Sequence, residues 1–342
     1  MPTSRVLVTG GSGFIAGHCI LQLLDAGYEV RTTVRSLAKE TLVREVLADA
    51  GMVDGGALSF VAADLTSDEG WPEAVADVDF VLHVASPVQP GHIDNENELI
   101  IPAREGAVRV LRAARDAGVK RAVLTSAFHA VSWGHPHDGH VFTEADWTVL
   151  DGPGVDAYAK SKTLAEQAAW ELMANSSTEL VTMLPVAVMG PVMGRDVTGS
   201  NHLIQGMLNG AMPATPRLFI PIVDVRDVAR AHILAMTTPE AAGQRFLLSN
   251  GPAIEMTDIA ATIRARLSEG TQRVPTQTIP DEVVRAAAES NPQFREMLPD
   301  LGYAKKTSND KARNLLGWSP RDAAEAIASA AESMVKKVLG AQ

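Results

Sequence analysis

Along the first half of the chain, short apolar runs rich in β-branched residues alternate with longer stretches in which apolar side chains recur every three or four positions. The runs at 6–9, 28–34, 58–62, 80–84 and 121–125 predict strands, and the stretches at 14–26, 37–50, 71–76 and 102–117 predict helices. Runs such as Phe80-Val81-Leu82 lack polar alternation, which fits strands buried on both faces. Strand and helix in strict succession imply βαβ units, so the fold class is α/β with a doubly wound parallel sheet. After residue 189 the alternation stops across a stretch rich in Pro, Met and Gly that ends near Pro221. Strand signals return at 219–223 and 245–249, and helical spacing at 225–236, 257–267, 281–290 and 321–339. This order predicts a nucleotide-binding lobe over 1–188, to whose sheet segments within 219–249 return. A smaller substrate lobe is expected from 189–218 and 250–342, with a cleft between the two.

Composition narrows the partners. An apolar share of 46% excludes a disordered chain, and 30 basic against 41 acidic residues give a net charge of −11. That charge disfavours nucleic acid and anionic membrane surfaces as partners. The single cysteine, Cys19, excludes an internal disulfide and a Cys-rich metal site. No apolar run approaches the roughly 20 residues of a membrane span, and the expected compartment is the cytoplasm.

The first strand runs directly into Thr9-Gly10-Gly11-Ser12-Gly13-Phe14-Ile15-Ala16-Gly17. Gly10 permits a tight turn, Gly13 lets a diphosphate approach the backbone, and Ala16 allows the helix to pack closely on the strand. The helix start offers free N–H groups to phosphate. Because the loop sits in the first βα turn, it reads as a dinucleotide fingerprint rather than an ordinary turn. The second strand ends Thr32-Thr33-Val34-Arg35, with Lys39 a turn later and no acid between them, which favours the 2′-phosphate of NADP over the free ribose of NAD. Asp64, after the third strand, is placed either to accept from the adenine amine or to cap a turn.

In Tyr158-Ala159-Lys160-Ser161-Lys162, the tyrosine and second lysine lie four apart, on one face of a helix. A fixed ammonium beside a phenol lowers the phenol pKa and suits it to proton transfer. His129, His135, His137 and His140 fall in a Gly- and Pro-containing loop and read as loop histidines rather than zinc ligands.

Taken together, these segments resemble the extended short-chain dehydrogenases/reductases, and within them the dihydroflavonol reductases, cinnamoyl-CoA reductases and microbial NADPH-dependent aldehyde and ketone reductases. The resemblance rests on Thr9 to Ala16, Thr33-Val34-Arg35, Ala63-Asp64-Leu65, His83 to Pro87, Tyr158 to Trp170 and Val223 to Ala229. It implies a Rossmann lobe in which Tyr158 is the general acid and Lys162 holds the nicotinamide ribose while lowering the tyrosine pKa. It also implies cofactor contacts from Gly10, Gly13, Phe14, Ile15, Arg35, Lys39, Asp64, Leu65, Val84, Ala85 and Ser86, with Pro185 and Val188 at the nicotinamide end. A serine expected after the fifth strand, where its hydroxyl polarises the substrate carbonyl, is replaced: Leu124-Thr125-Ser126-Ala127-Phe128-His129 puts Ala127 in that slot. Ser126, by a local shift, is the first candidate to take the role; His129 and Ser132 are other donors that would substitute, and the remaining alternative is a step that runs without such a donor.

The expected activity is therefore NADPH-dependent reduction of an aldehyde or ketone, without a metal. Rival readings are a nucleotide-sugar epimerase or dehydratase, a hydroxysteroid dehydrogenase and a non-catalytic NADP-sensing protein. The region 190–217 offers only Arg195 and Arg217 as cations, too few to clamp a second diphosphate.

Overall fold

The computed structural model describes residues 4–53, 55–87 and 95–339. Seven strands form one parallel sheet: β1 (Arg5–Val8), β2 (Glu29–Val34), β3 (Leu58–Ala62), β4 (Phe80–His83), β5 (Arg121–Thr125), β6 (Glu179–Pro185) and β7 (Arg245–Leu248). Their order is β7-β6-β5-β4-β1-β2-β3, so the winding direction reverses between β1 and β4. That reversal opens a crevice beyond the carboxyl ends of the two strands, where doubly wound folds bind ligands.

The strands are apolar on both faces because each face has its own core. Val6, Val8, Leu82 and Val123 pack on one side with Ile20 and Leu23 of helix α1 (Phe14–Asp25) and with Val228 and Ala231, in a later helix. Leu7, Val81, Ala122 and Leu124 face the other side, against Val110, Leu111 and Ala169. After α1 the chain forms α2 (Glu40–Asp49), α3 (Trp71–Val75), α4 (Asn97–Asp116), α5 (Ala157–Met173), α6 (Asn201–Asn209) and α7 (Val225–Thr237), the last of which carries Val228 and Ala231.

A third core is built from Met189, Ile204, Met207 and Ile222 together with Ile259, Ile263, Ile327 and Ala330. It lies in the later parts of the chain, where the helix Ala323–Leu339 packs against both Met256–Arg266 and α6. Met189 and Met207 are buried here, and Met193 and Met212 are partly buried against the apolar clusters.

Several bounds differ from the spacing. Helix α4 begins at Asn97 rather than near 102 and runs through Pro102; the backbone bond that proline forfeits is offset by burial of Leu99, Ile100 and Ala103. The stretch expected as one helix at 37–50 is a 3₁₀ turn, Leu37–Lys39, followed by α2. Strand β6 and helix α6 have no counterpart among the elements the pattern marks. β6 lies between β5 and β7, and its partner residues stand 58 positions earlier, as in Arg121 with Glu179, and 63 positions later, as in Thr182 with Arg245. No helix among the described residues is long and apolar enough to cross a membrane.

Candidate active site

The crevice is organised first by a threonine. Thr9, fully buried at the end of β1, accepts from the Val84 and Ala85 N–H groups at 3.1 and 3.0 Å and bonds His83 Nδ1 at 2.9 Å. One hydroxyl thus ties the exits of β1 and β4 together across the winding reversal. Thr33 does the same on the other flank, where its Oγ1 accepts from the Gly10 N–H at 3.0 Å and its carbonyl from the Gly11 N–H at 2.9 Å.

The glycine loop then turns under two constraints. Gly10 has φ +74°, and a Cβ there would stand 3.0 Å from the Cβ of Ala85. A side chain at Gly11 would collide with Thr32, whose hydroxyl is bound to the Val8 carbonyl. Gly13 is the N-cap of α1; no side chain caps that helix, and its first turn contains no acid. Its leading N–H groups are therefore left for an external anion, which a diphosphate would satisfy. Ala16 is buried against the sheet, while Phe14 and Ile15 remain half-buried at the helix start.

Arg35 and Lys39 are exposed, and neither forms a salt bridge with an acid among the described residues. Their cationic heads suit a phosphate monoester beyond the β2 exit. Asp64 is engaged locally: its Oδ1 accepts from the Thr66 N–H at 2.8 Å and hydroxyl at 2.7 Å. These bonds, with Arg35 contributing, hold its carboxyl below the usual range. The turn-capping reading thus describes one of its oxygens. Leu65 and Ser86 border a small cavity with Lys162. Pro185 is buried at the end of β6, and Val188 lies in the short strand Ala187–Met189, which pairs in parallel with Ile222–Asp224.

Helix α5 carries the Tyr158 and Lys162 pair. Its Ala-rich sequence favours helix, and Asp156 caps it by accepting from the Ala159 N–H at 2.7 Å. Tyr158 and Lys162 do share a face, with Lys162 Nζ 5.7 Å from the Tyr158 ring centroid. That Nζ donates to Ser86 Oγ at 3.0 Å.

The expectation that the ammonium lowers the phenol pKa is not met in this structure. Burial, assisted by the Asp156 charge, pushes Tyr158 up to about 12. Burial also pushes Lys162 down to about 8, against the opposing pull of Glu166. Loss of hydration dominates both shifts, and neither group's charge figures among the causes of the other's. A phenol in this state is protonated at neutral pH, as a proton donor must be.

Ser126 is also corrected. Its Oγ donates to Glu166 Oε2 at 2.7 Å, within a buried network in which Glu166 also accepts from Thr182 at 2.7 Å and pairs with Arg245 at 2.8 Å. A hydroxyl so committed is not free to donate to a substrate. Glu166, Thr182 and Arg245 escape sequence reading because strands far apart in the chain bring them together; the one local signal is that Glu166 lies one turn beyond Lys162.

The loop after β5 packs through its rings. Phe128 meets Phe142 and Trp133 edge-on, and Trp133 lies under Lys305 Nζ at 3.8 Å. His135 bonds the Trp147 carbonyl, His140 pairs with Asp146, and His137 stacks on Tyr303. Among the described residues no three His, Cys, Asp or Glu side chains are grouped to hold a metal.

A parallel sheet with this strand order, a glycine loop at its reversal and a Tyr/Lys pair at the adjoining crevice define a dinucleotide-linked oxidoreductase site. Residues 6–249 match the NAD dependent epimerase/dehydratase family, and the chain belongs to that family of extended short-chain dehydrogenases/reductases. It is 35% identical to a ketoreductase, azaE, of Aspergillus niger, over 97% of this chain and 98% of that protein. It is 37% identical to cinnamoyl-CoA reductase 1 of Arabidopsis thaliana, over 71% of this chain and 70% of the other. Among solved structures, yeast methylglyoxal/isovaleraldehyde reductase Gre2 complexed with NADPH superposes with a TM-score of 0.80, at 28% identity, covering 98% and 99% of the two chains.

Proposed function

We propose that this protein is an NADPH-dependent reductase of an uncharged aldehyde or ketone of moderate size. The observation that carries the reading is the placement of Tyr158 and Lys162 on one face of α5, with Lys162 bonded to the β4 loop at the winding reversal. NADPH, when bound, supplies a hydride to the carbonyl carbon. Tyr158 gives its proton to the oxygen, since the alkoxide formed is more basic than even a phenolate of pKa about 12. Lys162 holds the ribose, Arg35 and Lys39 the 2′-phosphate, and the N-terminus of α1 the diphosphate. Pro185 and Val188 border the nicotinamide, and the lobe built on the third core closes over the substrate.

Against a nucleotide-sugar substrate, Arg217 is paired with Asp281, so among the described residues of 190–217 Arg195 alone remains as an uncommitted cation for a second diphosphate. The reductase names of the relatives support the reading over a silent NADP-sensing protein. Oxidation of NADPH on addition of simple aldehydes and ketones, followed by cofactor absorbance, tests it; binding without oxidation across the panel would contradict it.

Two further outcomes are expected. The unmodified protein binds NADPH roughly tenfold to a hundredfold more tightly than NADH, from one charge-assisted phosphate contact of about 1.5 to 3 kcal/mol, and Arg35→Asp abolishes the preference. Equal dissociation constants in the unmodified protein would refute the assignment of Arg35. Because Lys162 titrates near 8, its ammonium is present below that pH and lost above it. NADPH affinity should therefore fall by roughly tenfold between pH 7 and 9.5, the worth of a bond from a charged donor, whereas Lys162→Met should show a flat profile. A flat profile in the unmodified protein would remove Lys162 from the cofactor site.

A further inference from the structure

With Ala127 in the serine slot, Ser126 bound to Glu166 and the Thr125 hydroxyl bound to His232, no hydroxyl on β5 or its exit is left free for the substrate oxygen among the described residues. Two side chains in the following turn carry unused polar atoms. The Ser132 hydroxyl has no partner, but it is sealed from solvent in a site whose crevice is open, so it does not line that crevice. The His129 imidazole differs. It is half-buried, and neither ring nitrogen has a hydrogen bond among the described residues.

The ring is held firmly all the same. It stacks on Trp133 with centroids 3.7 Å apart and planes 20° from parallel, and it meets the Tyr158 ring edge-on at 4.7 Å. Its backbone carbonyl accepts from Thr148 Oγ1 at 2.7 Å, and the same oxygen of Thr148 accepts from the Trp133 N–H at 3.1 Å. Stacking below and a pinned backbone fix the imidazole beside the proton donor with a nitrogen left over.

We propose that His129 is a catalytic residue that donates a hydrogen bond from its ring N–H to the substrate carbonyl oxygen, in the role that a serine at position 127 would hold. The proposal rests on the reductase reading above. The hydride of NADPH forms the new C–H bond, the carbonyl π pair moves onto oxygen, and the Tyr158 O–H bond breaks as its proton passes to that oxygen. The His129 N–H bond stays intact throughout. Burial, together with the charges of Lys305 and Lys162, holds the imidazole pKa down to about 3, so the ring stays neutral at working pH and keeps one donor. A neutral imidazole polarises a carbonyl without competing with Tyr158 for proton delivery.

The test is single-turnover aldehyde reduction by His129→Phe, which keeps an aromatic ring on Trp133 and removes the donor. The expected result is a loss of about tenfold to a hundredfold in the hydride-transfer rate, within the range for removing one donor to a developing oxyanion, with the NADPH dissociation constant unchanged. Adding Ala127→Ser to that variant should recover at least about tenfold. A second pair, His129→Gln and His129→Met, is matched in length and differs in the donor. The glutamine variant should stay within about fivefold of the unmodified rate and the methionine variant should not. A full rate in His129→Phe, no recovery on adding Ala127→Ser, or equal rates in the matched pair would overturn the proposal. An unmodified protein that reduces no carbonyl would instead overturn the reductase reading itself.

Discussion

Tyr158→Phe is expected to lower kcat by at least about a hundredfold while leaving the NADPH dissociation constant within about twofold of its original value. The substitution keeps the ring on which His129 and Lys162 depend for their surroundings and removes only the hydroxyl. Without it, the alkoxide formed by hydride addition must take its proton from water, in a site where the phenol is enclosed enough to titrate near 12. A phenol so weakly acidic does not lose its proton at neutral pH, and the reductive rate should not depend on its titration between pH 6 and 9. The effect should fall on kcat and kcat/KM alike, because the interaction is made only in the transition state. Turnover unchanged in Tyr158→Phe, measured by NADPH oxidation with saturating aldehyde, would contradict the assignment.

The largest expected effect on stability belongs to Arg245. Its guanidinium pairs with the fully buried Glu166, donates to the Glu144 and Asp146 carbonyls at 2.7 and 2.8 Å, and lies 3.6 Å from the Trp147 ring centroid. Arg245→Met leaves the Glu166 carboxylate without its cation and frees two carbonyls in the loop leading to α5. Breaking such a pair from one side costs about 3 to 5 kcal/mol, and urea unfolding should show a loss of that size. Removing both charges, in Arg245→Met with Glu166→Met, should restore part of it, because the unpaired buried charge is the main cost. A single-variant loss below about 1 kcal/mol would show that solvent reaches Glu166, contrary to its burial.

The same residue shows where sequence reading stops. Strands β1, β4 and β5 were legible because each is a short apolar run buried on two faces, β2 and β3 because β-branched and apolar residues recur there beside partly or fully exposed ones, and the head of α5 because Tyr158 and Lys162 fall at helical spacing. The pairing of Tyr158 with Lys162 was legible for the same reason, since a four-residue spacing is a property of one helix. The partner of Ser126 was not, because Glu166 and Arg245 stand 40 and 119 positions from it and meet only through strand order in the sheet. The phenol pKa failed likewise: the spacing shows the ammonium but not the enclosure that outweighs it. Helix α6 was hidden by the glycines at 199, 206 and 210, which interrupt the pattern although its buried Ile204 and Met207 seat it in the third core.

Transfer of hydride from NADPH to a carbonyl carbon, with Tyr158 supplying the proton, is tested with NADPH carrying deuterium at the transferable position. After reaction with an aldehyde or ketone, mass analysis of the product alcohol should find deuterium on the carbinol carbon, in amounts matching the NADP⁺ formed, and Tyr158→Phe should give at most about a hundredth as much deuterated alcohol over the same time. An alcohol formed without deuterium, or NADPH bound and left unoxidised by every carbonyl supplied, would contradict the account.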